Sequence, residues 1–515
     1  MGKKFLTYAL LGLFLAAAPA LFQSCSSRLP IDEGTVVVGM NGTPTNIDPR
    51  YATDAYSHQL IELCYNGVMK KDFRGRPVPD LAESVTSINP KTYLIRLKKG
   101  VTFHDGSPLT ARDVAYTYEF LRDPANGTPH AGTFEKIEEI KIISDQVLQV
   151  SLKEPFAPFE TALTVPIVRE GTPKEALKNG ENGTGPFRMV TFSPDQEAVF
   201  VPYEAYFESP PKVKKLVLRF VLDDNVRFLQ LKKGEINLVI NGVTPDLLDE
   251  IRKDGRFQVV ESVGSNFSYL GFNLRDPILR KRKVREAIAR GINRQEIIDS
   301  ILRGLAVPGD TLISPLYWAH ESDVPRYPYD PEKAKKLLDE AGFPDPDGDG
   351  PLPRFSITYR TSQNDLRRRI AQVIQEQLRR IGIDVKILSY EWGTFFSDIK
   401  RGNFQLYSLT WVGITDPDIY YYAFHSKSTP PAGANRNGYA NPEVDRLVEE
   451  GRRVLSPAKR KEIYSRVQKI IARDLPIYGL WFSKNVLVAD RRIRGFTLYP
   501  DESYRPFKDV WIEGQ

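Results

Sequence analysis

Few side chains in this 515-residue sequence are spaced for bond-making chemistry. The five histidines, His58, His104, His130, His320 and His425, are widely scattered, and none falls into an HExxH or CxxC-type ligand pattern. There is no GxSxG elbow and no nucleotide fingerprint. His104 and Asp105 are adjacent and could act as an acid–base pair. They fall, however, where a strand alternating Tyr93, Ile95 and Leu97 turns at Asp105-Gly106 into a helix opened by Thr110 and Asp113. A structural turn is the reading there. The acidic run Asp345-Pro-Asp347-Gly-Asp349-Gly350 copies the first half of a calcium loop, but its twelfth position is Ser356 where a bidentate glutamate is needed. Gly183-Thr184-Gly185-Pro186-Phe187 lacks the lysine and spacing of a phosphate loop and reads as a tight turn entering a strand. No catalysis, metal or cofactor is expected.

The residues suited to holding a ligand lie instead at predicted strand ends. Phe355 to Tyr359 reads as a strand, and Leu366, Ile370, Val373, Ile374 and Leu378 as a helix stopped by Gly382. Ile383, Val385 and Ile387 alternate as a second strand, a helix lies around Phe395 to Ile399, and Phe404 to Trp411 makes a third strand. Such alternation predicts an α/β fold with parallel strands and right-handed crossovers. Ligands of open α/β sheets sit beyond the carboxyl ends of the strands. Arg360 with Thr361 at the first end, and Thr410-Trp411-Val412-Gly413-Ile414-Thr415-Asp416-Pro417 at the third, are therefore expected at a cleft. Earlier in the chain the β-branched run Thr35 to Met40 leads into a Gly/Pro/Asn loop containing Asn46, a candidate opposite wall. Asp330 and Pro331 start a further helix with Ala334, Leu337, Leu338 and Ala341 on its buried face and Gly342 at its end.

Between these halves lies Phe267 to Asn293. Tyr269, Gly271 and Asn273 alternate with Leu270, Phe272 and Leu274, and Val284, Ile288 and Ile292 follow at helical spacing. A strand running into a helix mid-chain reads as a crossing between two α/β lobes, with Tyr269 at the cleft. The length itself calls for more than one core.

Formal charge is +6, and processing that removes Lys3 and Lys4 would leave +4. Only Arg367 to Arg369 forms a basic run, read as a solvated helix face, so no nucleic-acid partner is expected. Lys3, Lys4 and the apolar run Ala9 to Ala18 make a signal segment too short to span a bilayer. Leu21-Phe22-Gln23-Ser24-Cys25 resembles a bacterial lipobox, which would lipidate Cys25, while Ala18-Pro19-Ala20 offers an ordinary cleavage site. Cys64 is then the remaining thiol, and no internal disulfide can form.

Several strings resemble one family. GFN followed by VREAIARGINR, GRPVPDLAES before the strand–turn–helix of Tyr93 to Leu121, GTGPF, the Trp411 loop, and Asp474-Leu-Pro-Ile-Tyr-Gly-Leu-Trp-Phe482 are similar, in the same order, to the extracellular solute-binding proteins of ABC importers, family 5, the peptide/nickel-binding family. The resemblance implies a two-lobed periplasmic-binding-protein fold of type II with an extra subdomain in lobe I and two crossing strands. It divides the chain into a signal peptide (1–24), a lipidated tether (25–34), lobe I (35–267, with an insert at about 50–180), lobe II (268–485) and a return to lobe I (486–515). It implies a monomeric, exported receptor, a periplasmic or cell-surface lipoprotein. Such a receptor binds an oligopeptide or peptide-like solute and delivers it to a permease and its ATPase. A metal chelate, an oligosaccharide or a non-transport role are the alternatives. Peptide-binding members carry an aspartate three residues after the tryptophan for the peptide's α-amine; here that place is Ile414, with Asp416-Pro417 following. Arg360 stands one residue from a carboxylate-binding arginine. Trp411, Thr410, Gly413, Asp416, Arg360, Tyr269 and Asn46 are the ligand-site residues expected.

Overall fold

The computed structural model describes residues 31–348 and 350–514; the signal segment, Cys25 and Asp349 lie outside them. Two lobes are built on one continuous, mixed sheet of eleven strands among the described residues. In lobe I the strand Thr35–Met40 is buried along its whole length and pairs in parallel with Lys215–Phe220 and Leu238–Ile240. Val36, Val38 and Met40 enter the core on one face of the sheet, and Val37 enters a second core on the other. A sheet buried on both faces explains why this segment reads as an unbroken β-branched run.

Two long strands carry the sheet from one lobe to the other. Phe257–Phe272 and Ile477–Asp490 pair antiparallel from Phe257 opposite Asp490 to Gly271 opposite Ile477, with a register shift between Val263 and Phe267. Gly264 sits at that shift, where a β-carbon would come within 2.7 Å of the Ser483 carbonyl. Beyond it, Phe267 to Phe272 pairs with Leu406–Trp411, and helix Arg282–Gly291 follows. The crossing strand is thus longer than its alternating part: in its lobe I half the adjacent Val260 and Glu261, on opposite faces, are both exposed, so no in–out alternation marks it.

In lobe II, Phe355–Ser362 pairs in parallel with Ile383–Tyr390 and with Leu406–Trp411, as the alternation predicts. Helices cover both faces, giving one core around Leu270, Ile288 and Ile374 and another around Tyr269, Phe395 and Tyr464. Asp330 caps helix Pro331–Glu340 by accepting from Lys333 N at 3.0 Å, and Gly342 turns the chain away at φ +84°. The first strand runs three residues past Tyr359, since Thr361 and Ser362 are buried. Arg360 is accordingly inside the strand, opposite Leu388 and Tyr407, rather than beyond its end. The helix around Phe395 spans Trp392–Arg401, and the strand before Trp411 begins at Leu406.

A separate four-stranded antiparallel sheet, Ala82–Asn89, Thr92–Leu97, Val147–Leu152 and Ile137–Ser144, has its own core with helix Ala111–Arg122. That helix opens with a capping box: Asp113 accepts from Thr110 N at 2.8 Å and from its hydroxyl at 2.9 Å. His104 and Asp105 form the turn before it. The His104 Nε2–H donates to Gly185 O at 3.0 Å, and Asp105 accepts from Ser107 and Asn182. Gly183 and Gly185 lie so close to the Cys64 carbonyl group that β-carbons there would meet it at 1.9 and 2.4 Å. The glycines serve backbone packing, and Cys64 is a buried thiol that burial pushes up to about 12.

Candidate functional site

The carboxyl end of Leu406–Trp411 places an aromatic cluster on lobe II. Alternation puts Tyr407, Leu409 and Trp411 on one face of the sheet with Phe267 and Tyr269 of the crossing strand. The Trp411 and Tyr269 rings stack at 6.4 Å and 15°. Thr410 points to the other face, where its hydroxyl lies 3.0 Å from that of Ser268. Tyr422, 45% exposed, meets Trp411 edge-on at 6.3 Å. Trp411 is half-buried, Val412 is 63% exposed and Gly413, at φ +67°, has open space where a β-carbon would stand. This short stretch of backbone lies open beside an aromatic wall.

Arg436 completes the cluster from a loop far along the chain. Asn435 ties that loop to His425 O and Tyr439 O, and Asn437 donates to Phe272 O and Pro476 O at 2.7 and 2.9 Å. So anchored, the Arg436 guanidinium lies 5.2 Å over Trp411 and 5.2 Å over Phe396, and its Nη1 donates to the Tyr269 hydroxyl at 3.2 Å. Its Nε is buried and meets no hydrogen-bond partner among the described residues. Phe396 in turn stacks on Trp392 at 5.5 Å and 6°.

Asp416 is held differently. Arg460 grips both of its oxygens at 2.9 and 3.3 Å, Asp418 N donates to it at 2.8 Å, and the Thr161 hydroxyl reaches it at 3.1 Å from beside the four-stranded sheet. Burial works against the Arg460 charge, but Asp416 beside it holds its pKa up. Burial also pushes Asp418 up to about 6, against the pull of Arg452 at 3.0 Å. Ile414 is 6% exposed and belongs to the lobe II core. Arg360 pairs with Asp398 and lies 5.1 Å over Tyr390.

Asn46 sits on lobe I, exposed, its side chain accepting from Asp48 N at 3.0 Å. Near the crossing, Asn266 donates to Glu502 at 2.9 Å and Asn241 to Asn485 at 3.2 Å, and burial pushes Glu502 upward. Trp318 N reaches Arg74 O at 3.4 Å, another contact between the lobes.

Trp411, Tyr269 and Thr410 therefore meet on two adjacent strands, with Gly413 at their edge, whereas Arg360 and Asp416 each carry a partner of opposite charge. Arg436, Tyr422, Phe396 and Trp392 were not foreseen: they come from loops and a helix surface, and the one local signal is an arginine between two asparagines. Of the basic run, Arg368 and Arg369 are exposed, but Arg367 is half-buried with its guanidinium 5.1 Å over Trp392. Among the described residues no group of three His, Cys, Asp or Glu side chains could hold a metal, and no helix is long and apolar enough to cross a membrane.

Residues 76–431 match the sequence family described as bacterial extracellular solute-binding proteins, family 5. The oligopeptide-binding protein AppA of Bacillus subtilis is 29% identical over 98% of this chain and 97% of its own. The dipeptide-binding protein of Escherichia coli K12 is 27% identical over 93% and 95%. The structure of Bacillus subtilis AppA in complex with a nonapeptide superposes with a TM-score of 0.75 at 28% identity, covering 93% of this chain and 98% of that one.

Proposed function

Because the chain belongs to the bacterial extracellular solute-binding proteins, family 5, we propose that it is the receptor of an ABC importer, taking an oligopeptide or peptide-like solute between its lobes and handing it to a membrane permease driven by an ATPase. It binds and releases its cargo without catalysing a reaction. The observation that carries this reading is the half-buried Trp411, stacked on Tyr269 beside the open backbone of Val412 and Gly413. An extended solute can add its main chain there while Trp411 and Tyr422 receive a side chain. Support for a peptide comes from relatives named for oligopeptides and dipeptides that match nearly end to end.

In this reading Thr410, Gly413 and Tyr269 form the lobe II wall, the exposed Asn46 is the contact offered by lobe I, and Asp416 and Arg360, each paired with an opposite charge, belong to the same site. The two crossing strands let the lobes open and close, and a solute touching both favours the closed state. The receptor works as an exported monomer held at a membrane by a lipid on Cys25.

Native mass spectrometry of the purified mature protein tests this directly. Release of peptide masses on denaturation is expected; a single non-peptide solute would overturn the cargo assignment. Loss of the anchored form in Cys25→Ser, seen as a mass lacking the acyl groups, checks the lipid.

A further inference from the structure

The lobe II wall carries more positive charge than it balances. The carboxylates around it are engaged, Asp365 with Arg368 among them. Asp398 accepts from Arg360, Arg401 and Asn403; Glu391 caps helix Trp392–Arg401 through Gly393 N and Thr394 N; Asp416 holds Arg460 and Asp418 holds Arg452. Two guanidiniums, Arg367 and Arg436, meet no carboxylate among the described residues. They belong to a single stack. Arg367 lies 5.1 Å over Trp392, Trp392 stacks on Phe396, Arg436 lies 5.2 Å over both Phe396 and Trp411, and Trp411 stacks on Tyr269.

A guanidinium laid on aromatic faces loses water above and below while its rim of N–H donors stays available, a geometry that fits a carboxylate through two parallel hydrogen bonds. Arg436 spends one donor on the Tyr269 hydroxyl and leaves its buried Nε without an acceptor. A half-buried cation with no counter-ion is costly until an anion arrives. On the loop after Trp411, Ile414 is buried in the core and the Asp416 charge is taken, so nothing there offers an ammonium group a free carboxylate.

We propose that the solute is an acid, its free carboxylate seated on Arg436 with Arg367 adding to the field, and that a free amino terminus is not required. This rests on the reading of the cleft as the solute site of a receptor.

Three libraries of tri- to hexapeptides test it on the mature protein: free at both ends, amidated at the carboxyl end, and acetylated at the amino end. Retained masses are read by native mass spectrometry. Acetylation should leave retention unchanged, and amidation should lower it by about tenfold or more, the worth of a charge-assisted hydrogen bond. Arg436→Gln should bring the free library down to the amidated level, with Arg436→Lys in between. Equal retention of amidated and free libraries, or loss on acetylation, overturns the inference and leaves the peptide reading standing. If no library binds and a non-peptide solute is released, the peptide reading falls alone, and the presence or absence of a carboxylate on that solute decides this one. A protein that releases nothing and takes up no library overturns both.

Discussion

Arg460 clamps Asp416 through both carboxylate oxygens, and the Thr161 hydroxyl binds the same carboxylate from the far side of the interface. One acidic residue thus joins helix Pro457–Asp474, the loop after Trp411 and the segment following the four-stranded sheet. The arginine is anchored further by its stacking on Trp318 and Tyr464, at 5.6 Å from each ring. The loop that carries Val412 and Gly413 is therefore pinned at its distal end and open at its proximal one.

Asp416→Asn should destabilise the protein by about 3 kcal/mol, because it leaves the buried Arg460 without its counter-charge. Denaturant unfolding of the unliganded protein measures this. A change under about 0.5 kcal/mol, the range of ordinary surface substitutions, would mean that Arg460 is solvated and the clamp idle.

Thr161→Val keeps shape and volume and removes the hydroxyl that meets Asp416. The unliganded protein should shift toward the open form, read as a larger radius of gyration in small-angle scattering, and ligand affinity should fall by about 5- to 10-fold, as expected for one hydrogen bond to a charged group. Identical scattering curves and affinities would show that the contact plays no part in closure.

Trp411→Ala should weaken binding of the retained solute by about 10-fold, in line with an aromatic contact of 0.5–1.5 kcal/mol beyond its buried area. Trp411→Phe should recover most of it. Calorimetric titration decides, and an unchanged Kd for the alanine variant would exclude Trp411 from the site.

His104 predicts a pH dependence of stability. Burial, against the raising effect of the Gly185 carbonyl, lowers its pKa from 6.5 to about 4. Between those values the unfolded chain takes up a proton that the folded one refuses, so this contribution is fully present above pH 6.5 and is lost as pH falls toward 4. His104→Gln, which keeps a donor for Gly185 O, should flatten the stability profile across that window by about 3 kcal/mol. A parallel profile for the variant would show that another group governs the acid limb.

What could be read from the residues alone was local and periodic. The Thr110–Asp113 capping box, the Asp330-Pro331 helix start and the alternation through Tyr269 all rest on neighbours a few positions apart, and the structure realises them. The end of Phe355–Ser362 was misjudged because Thr361 and Ser362, polar by type, are buried by the sheet around them. Arg436 stood outside reach for a different reason. It meets Tyr269, 167 positions away, through a loop whose shape depends on Asn435 and Asn437 finding backbone carbonyls that only the finished fold supplies. Asp416 was visible as a charge, but its partner Arg460, 44 positions on, carries no mark that separates it from other helix arginines.

The two crossing strands also set an order of events for a chain that emerges amino end first. Leu238–Ile240 has Thr35–Met40 on one side and Leu487–Ala489 on the other, so that edge of the lobe I sheet stays bare until almost the whole polypeptide has been delivered. The strand Phe257–Phe272 waits for the same late segment. Lobe I cannot finish ahead of lobe II, and an early, kinetically trapped amino-terminal half is avoided at the cost of a long-lived unpaired edge.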